Sequence, residues 1–552
     1  MCGIWLYLLK NSSTIVDYGH LYSSFMKIKA RGPERSRFIT LNDLGIFIGY
    51  HRLSIMDTST NGDQPFILEL PEQQRTIYVI CNGELYNHKH LIHKYNIKPI
   101  SGSDCEVLPH IYAQVGIDEL CKELSSHEVS GEFSFCVIDI IKDNIIVHAV
   151  RDPVGVRPLF IAEDDYSIVF SSELKGVPYL KQKYSNVEQL KPGTILTITR
   201  TDTEININQH KYFNLDDYKP IISDIDNAQT IVRETLIHAV HERMHPERQM
   251  GFLLSGGVDS SLICAIGAKY AKKHGQIITT FSIGMPGSTD KEYALLAAEK
   301  IGSKHYHLEL KESDFLAAVD KVIEISETYD ITTIRATVGQ YLASKWISEH
   351  TDIKVLYIGD GSDELFGGYR YFLKAPSENE YNNEIRRLLT DIHMFDVLRS
   401  DRGIASNGIE ARVPFLDHRL IRNVLLIDPA LRMPQSGVEK WLLRSAFSDT
   451  ELLPESVLWR KKEAFSDGVS GEKSWYVVLQ EHINKLYSDD DFKHKSSKYT
   501  HNKPPTKEAL YYREKFTEIY GDHASTVIPY FWLPKWCGDV QEPSARVLSV
   551  YK

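Results

Sequence analysis

The sequence has no apolar run near the ~20 residues a membrane-crossing helix needs, so no such helix is expected. Its apolar start, Gly3 to Leu9, lacks a basic flank and a small-residue cleavage site, and does not read as a signal peptide. Paired C-x-x-C spacing is also absent. The seven cysteines, at 2, 81, 105, 121, 136, 264 and 537, are scattered and odd in number. That pattern fits free thiols in a reducing compartment and gives no zinc or iron–sulfur framework. Positive charge is not in excess: the net charge is −11. This argues against a general binder of nucleic acid or anionic membrane, while leaving room for a local basic pocket. No internal repeat and no long low-complexity tract is found. A cytoplasmic protein is expected, with small-molecule partners and at most a second copy of itself.

What is present is the composition of a globular chain, 42% hydrophobic and 25% charged. At 552 residues it exceeds one ordinary core, so two domains are expected. Residues 1–213 are β-rich, with candidate strands in "GIFIGYHRLSI", "TIYVICNGELY", "FSFCVIDII", "NIIVHAVRD", "LFIAE", "SIVFSSEL" and "GTILTITR". "YGHLYSSFMKIKAR" and "SDCEVLPHIYAQVG" have helical spacing. Packed antiparallel sheets with helices outside are expected here, an α+β arrangement. A polar stretch, 214–227, reads as the linker. In 214–552 short apolar strands alternate with amphipathic helices: "GFLL", "SSLICAIGAKYAKK", "ITTFSIGM", "KEYALLAAEKIG", "HYHLEL", "SDFLAAVDKVIEISETY" with a Ser N-cap signal, and "IKVLYIGD". This predicts an α/β, doubly wound parallel sheet, followed by about 150 mostly helical residues.

The sharpest motif is "LLSGGVDSS". A strand runs through Leu253 into Ser255, Gly256 and Gly257 and then into a helix. Glycines let backbone approach an anion, and a helix N-terminus offers unpaired N–H groups. Ser255, Ser260 and Ser261 add hydroxyls. No Gly-Lys-Ser/Thr follows, so this is not a Walker A loop. Asp259 inside an anion cradle would repel phosphate unless a cation lay between, which suggests Mg²⁺. The string resembles the PP-loop of ATP pyrophosphatases, which cleave ATP between the α and β phosphates. "YIGDGSDELFGGY" adds Asp360, Asp363 and Glu364 on a Gly-rich turn after another strand. Ligands gather at the C-terminal ends of parallel strands, where both loops are expected to meet. Asp363 then completes a metal site with Asp259.

Cys2 becomes the N-terminal residue once Met1 is removed. It then carries a thiol of pKa ~8.5 and an α-amine of pKa ~8, so the amine serves as the thiol's own base. A thiol attacking an amide needs an oxyanion hole, and "CNGELYNH" offers the Asn82 amide and the Gly83 N–H. Arg52 in "HRLSI" suits the α-carboxylate of an amino-acid substrate; Glu84 and Asp104 suit its ammonium.

With these residues in hand, the whole chain resembles the glutamine-dependent asparagine synthetases. Matching stretches include "CGI", "RGPE", "HRLSI", "NGELYNH", "SDCEV", "RDPVGVRPLF", "SSELK", "LLSGGVDSS", "ETYDITTIRA", "GDGSDELFGGY", "GIEARVPFLD", "LPESVLWRKKEAFSDGV" and "PSARVL". The resemblance implies an N-terminal nucleophile glutaminase with an αββα sandwich, ahead of an ATP pyrophosphatase-type synthetase domain. It implies that glutamine is hydrolysed at Cys2 and that ammonia passes internally to a second site, where aspartate is adenylated and ammonia displaces AMP. Arg52, Leu53, Ser54, Ile55 and Met56, with Asn82, Gly83, Glu84 and Asp104, are then expected to hold glutamine. Leu253, Ile283, Ile358 and Gly359 are expected to line the nucleotide site. The loop and Asp363 hold pyrophosphate and Mg²⁺, and Arg335 and Lys440 bring positive charge to the phosphates or the aspartate.

The chain departs from the family pattern at three positions. Glu34 stands where the family has Asp, Ile358 where it has Ser, and Asp360 where it has a Glu that acts as base or positioning group. The last shortens the carboxylate's reach by one carbon–carbon bond, about 1.5 Å, and a misplacement of that order costs up to ~100-fold in rate. Two other readings compete: a ligase of the same architecture with another acceptor, as in the β-lactam synthetases, and a glutamine- or nucleotide-binding regulator without turnover. Retention of Cys2 and "TTIRA" argues against the first, and survival of the charged site residues against the second. A tRNA-thiolating protein would need a basic surface and cysteine pairs, which this chain lacks.

Overall fold

A computed structural model describes residues 1–552 except 143, 182–183, 185, 202–203, 545–547 and 549–552. Part of "PSARVL" therefore lies outside the described residues. Residues 3–211 form two six-stranded antiparallel sheets. In the first, Gly3–Leu9 pairs on one side with Ile46–Arg52 and on the other with Ser167–Ser171. In the second, the central pairing is Arg75–Leu85 with Gly131–Ile141, in register from Arg75↔Ile141 to Leu85↔Gly131. Ile4, Leu6, Ile48 and Phe170 of the first sheet and Ile80, Ile138, Val147 and Ile198 of the second form the buried layer between them. Helix Val107–Leu124 covers the outer face of the second sheet. Helix Tyr18–Met26 covers the first through Leu21 and Phe25. The expected sandwich is thus present. Gly3–Leu9, read from sequence only as an apolar start, is a fully buried strand with no polar alternation to announce it. The polar edge strand Ile205–Lys211 was silent for the opposite reason: it is almost entirely exposed.

The second sheet system is parallel, in the order Lys304–Glu309, Thr279–Gly284, Gln249–Leu253, Ile353–Tyr357, Glu410–Arg412. Helices Val258–Lys273, Thr289–Ile301 and Ile331–His350 make its crossovers. Order reverses on either side of Gln249–Leu253, so the loops after it and after Ile353–Tyr357 open onto one crevice. The N-cap expected at Ser313 sits instead at Lys311, where the Asp314 carboxylate closes the first turn by accepting the Lys311 N–H at 2.8 Å. Among the described residues no helix is long and apolar enough to cross a membrane.

Candidate active sites

Strand Gly3–Leu9 delivers Cys2 to the rim of the sandwich beside Asn82 on strand Arg75–Leu85. The Cys2 nitrogen, which becomes the α-amine when Met1 is removed, donates to Asn82 Oδ1 at 2.9 Å. Asn82 is fully buried, and its Nδ2 has no partner. One amide thus holds the base with its oxygen and keeps a free donor beside the nucleophile. Cys2 Sγ lies 2.9 Å from the Tyr50 hydroxyl and 3.7 Å from the Leu53 carbonyl. Burial pushes the thiol up from its ordinary range, and the Met1 ammonium and Tyr50 pull it back.

Glu84 and Asp104 are both buried. Burial and the Asp104 charge push the Glu84 carboxyl well up; burial also raises Asp104, which accepts the Leu85 N–H at 2.6 Å. Two carboxyls crowded in this way favour a cation between them. Arg52 is otherwise engaged than expected. Its guanidinium donates to the carbonyls of Met56, Asp57 and Ser59 and pairs with Asp63 at 2.6 Å. A bidentate grip on a substrate carboxylate requires this loop to release it. Leu53, Ser54 and Ile55 are buried beside it, while Gly83 is so close to the Glu132 carbonyl that any side chain would clash. Sequence reasoning missed Tyr50 and Arg31. The latter sits in "RGPE", donates from Nε to the Cys2 carbonyl at 3.0 Å, and pairs with Asp401.

At the crevice of the parallel sheet, Gly256 takes φ +78, and an added Cβ would meet the Ala294 nitrogen at 2.5 Å. Gly359 faces Ser260 N at a projected 2.7 Å. Only glycine allows the two loops to touch. Ser255 Oγ and Ser260 Oγ are 3.0 Å apart, Ser261 Oγ is buried without a partner, and Gly257 leads into helix Val258–Lys273 with no side-chain cap. The N–H groups of that first turn face the crevice. Leu253, Ser255, Gly257, Asp259, Ser260, Ile358, Gly359, Asp360 and Asp363 line it together. Ile283 ends the adjacent strand and is buried.

Asp259 and Asp363 converge, as expected, but on an ammonium. Lys440 Nζ is 2.6 Å from both Asp259 Oδ2 and Asp363 Oδ1, and Lys462 Nζ is 2.6 Å from Asp363 Oδ2. Burial would raise the Asp363 carboxyl, yet the two lysines hold it well below its ordinary value. With both lysines folded in, the crevice measures only about 130 Å³, below the ~300–1,000 Å³ of ordinary ligand pockets. Asp360 is held rather than free: Gln340 Nε2 donates at 2.8 Å, Ser400 Oγ donates to the same oxygen, and Arg399 pairs at 3.2 Å. Gln340, Arg399, Ser400 and Lys462 were not singled out in the sequence, although the consecutive cations Arg460, Lys461 and Lys462 in "WRKKEAF" were a signal.

Arg335 is paired rather than free. It opens the helix that carries Gln340, but its guanidinium is clamped by Glu508 at 2.5 Å and Glu542 at 2.8 Å, and it is absent from the described lining of the crevice. The buried Glu508 and the half-buried Glu542 neutralise it from the C-terminal region, which nothing near "TTIRA" foretells.

Comparison with known proteins covers both parts of the chain. The family model described as "Glutamine amidotransferase domain" matches residues 1–189, and that described as "Asparagine synthase" matches 231–388 and 374–543. The chain is 39% identical to the "Probable asparagine synthetase [glutamine-hydrolyzing]" of Acanthamoeba polyphaga mimivirus, covering 100% of both chains. It is 38% identical to the "Asparagine synthetase [glutamine-hydrolyzing]" of Gallus gallus and to that of Homo sapiens, each time over 100% of this chain and 99% of the relative. Full-length similarity at this level, with a nucleophile rim at one end and a phosphate crevice at the other, shows that the chain belongs to the glutamine-hydrolysing asparagine synthetase family.

Proposed function

We propose that the chain makes L-asparagine, converting ATP, L-aspartate, L-glutamine and water to AMP, diphosphate, L-asparagine and L-glutamate. The observation that carries this is the Cys2–Asn82 pair: a buried amide that accepts from the nucleophile's nitrogen at 2.9 Å and keeps its own donor unpartnered. With Met1 gone, the α-amine takes the thiol proton. The thiolate attacks the glutamine δ-carbonyl, and Asn82 Nδ2 with the Gly83 N–H receives the developing oxyanion. Ammonia leaves with that proton returned, and water releases glutamate from the thioester. Glu84 and Asp104 suit the substrate ammonium, relieving the crowding of two buried carboxyls.

At the crevice, the phosphate loop and the first turn of helix Val258–Lys273 receive ATP's phosphates. Aspartate's β-carboxylate attacks the α-phosphorus, diphosphate leaves, and ammonia then displaces AMP. Lys440 and Lys462 turn from Asp259 and Asp363 toward the phosphates. The convergence of those two carboxylates on one buried cation, from hard oxygen donors, fits Mg²⁺, which Asp259 and Asp363 would hold. Bound there, Mg²⁺ would neutralise phosphate charge beside the carboxylates. Asp360, oriented by Gln340, Ser400 and Arg399, positions or deprotonates the attacking nitrogen. Cys2→Ala tests the division of labour: glutamate release should vanish while ammonia-dependent asparagine formation persists. A folded variant that also fails with ammonium chloride defeats the two-site reading.

A further inference from the structure

Between the sandwich and the parallel-sheet part lies a cleft of about 930 Å³ that neither Cys2 nor the phosphate loop lines. That volume is in the small-molecule range, and seams of this kind are where such pockets concentrate. Its apolar floor includes Val177, Leu180, Ile325 and Ile519. Five lysines, Lys27, Lys175, Lys181, Lys321 and Lys515, surround it, against three carboxylates, Asp320, Glu324 and Glu518.

The pairings leave a surplus of positive charge. Lys321 is bonded to Glu324 at 3.0 Å, and Lys515 to Asp320 at 3.1 Å and Glu518 at 4.0 Å. Lys175 is neutralised by Glu173 at 2.7 Å. Among the described residues Lys181 Nζ reaches only a neutral acceptor, the Glu518 carbonyl, at 2.6 Å. Lys27 has no ion pair among the described residues; partial burial and the charge of Lys181 both loosen its proton. Two ammonium groups that line the cleft therefore have no carboxylate partner among the described residues. A dianion placed there would offset their charge and accept charge-assisted bonds from both.

We propose that this cleft is an effector site for a phosphate monoester with an apolar or aromatic body. The phosphate lies between Lys27 and Lys181, and the body covers the Val177, Leu180 and Ile519 floor. Inorganic phosphate would leave the floor wet, and a neutral aromatic would leave the lysines unpaired. The position gives the site reach. Ala30 lines the cleft, and its neighbour Arg31 holds the Cys2 carbonyl. Ser406, also in the wall, is the C-cap of helix Asp396–Ala405, which carries the Asp360 partners Arg399 and Ser400. Occupation thus bears on both active sites, and its readout is their coupling.

The test titrates the full chain, with ATP present to fill the crevice, using 1-naphthyl phosphate, 1-naphthoate, 1-naphthol and inorganic phosphate. Naphthyl phosphate should bind at least tenfold more tightly than each of the others. The Lys27→Met/Lys181→Met double variant should lose at least tenfold in its affinity. Ala30→Trp, which fills the cleft and keeps both lysines, should lose as much. Lys27, Ala30 and Lys181 are exposed, so melting temperature should be unchanged in both variants and basal turnover unchanged in the double variant. In the unsubstituted protein the ligand should shift the glutamate-to-asparagine product ratio at least twofold. Displacement by ATP, binding to the double variant within twofold of the parent, equal affinity for naphthol, or an unchanged product ratio at saturation each overturns the assignment.

Discussion

Replacing Asn82 with Asp changes one buried group from NH₂ to oxygen and leaves the shape of the side chain intact. Oδ1 still accepts from the Cys2 nitrogen, as it does now at 2.9 Å, so the nucleophile's base keeps its place. What is lost is the unpartnered Nδ2 donor. One such donor is worth about 2.7–4 kcal/mol in a transition state, or roughly 100- to 1,000-fold in kcat. The introduced carboxyl would lie in a fully buried position two residues from Glu84 on the same strand face. Burial and that neighbour would raise its pKa, and in its protonated form it could donate a hydrogen bond to the oxyanion. The deficit should therefore be largest at high pH and shrink as pH falls. The assay is glutamate release without ATP between pH 6 and 9, with ammonia-dependent asparagine formation as the control that should not move. A folded Asn82→Asp variant within threefold of the parent at pH 8 would refute the oxyanion role.

Asp259→Asn should remove diphosphate release at saturating ATP and spare glutamine hydrolysis; unchanged release contradicts its metal role. Asp360→Ala frees Gln340, Ser400 and Arg399 from their shared acceptor and should nearly eliminate turnover, whereas Asp360→Glu should preserve or raise it; melting temperature and diphosphate release together decide, and a folded Ala variant with a near-normal rate removes Asp360 from the chemistry. Arg335→Met should act on stability first, by about 3–5 kcal/mol, because it strands the buried Glu508 carboxylate and leaves Glu542 unpaired by it; an unchanged denaturation midpoint argues against the clamp. Burial would raise the Asp401 carboxyl, but Arg31 and Arg402 hold it down to about 2. A depressed carboxyl stabilises fully above its unfolded pKa of ~3.9 and loses that contribution as pH falls through the folded value. Between pH 4 and 2 the parent should lose about 2 kcal/mol more than Asp401→Asn in urea melts; equal losses refute the pairing.

The sequence by itself determined what is local. A cradle for phosphate needs consecutive backbone N–H groups, so Ser255 to Ser261 carry it in one string. An N-terminal nucleophile needs only its own residue, and the oxyanion donors Asn82 and Gly83 are adjacent. Strands that alternate faces, and helices that present one apolar stripe, announce themselves through periodicity; the fully buried Gly3–Leu9 has no such alternation, and the exposed Ile205–Lys211 has only two apolar residues, so both were silent. Tertiary structure alone decided which charges meet. Arg31 finds Asp401 across 370 positions, Arg335 finds Glu508 across 173, and Lys440 finds Asp259 across 181. Burying a charge forces a partner upon it, but any carboxylate delivered by the fold will serve, so no spacing in the chain encodes the choice. For that reason the sequence named Asp360 and Lys440 as site residues, while only the packing of helix Asp396–Ala405 and of the C-terminal segments against the sheet decided what holds them.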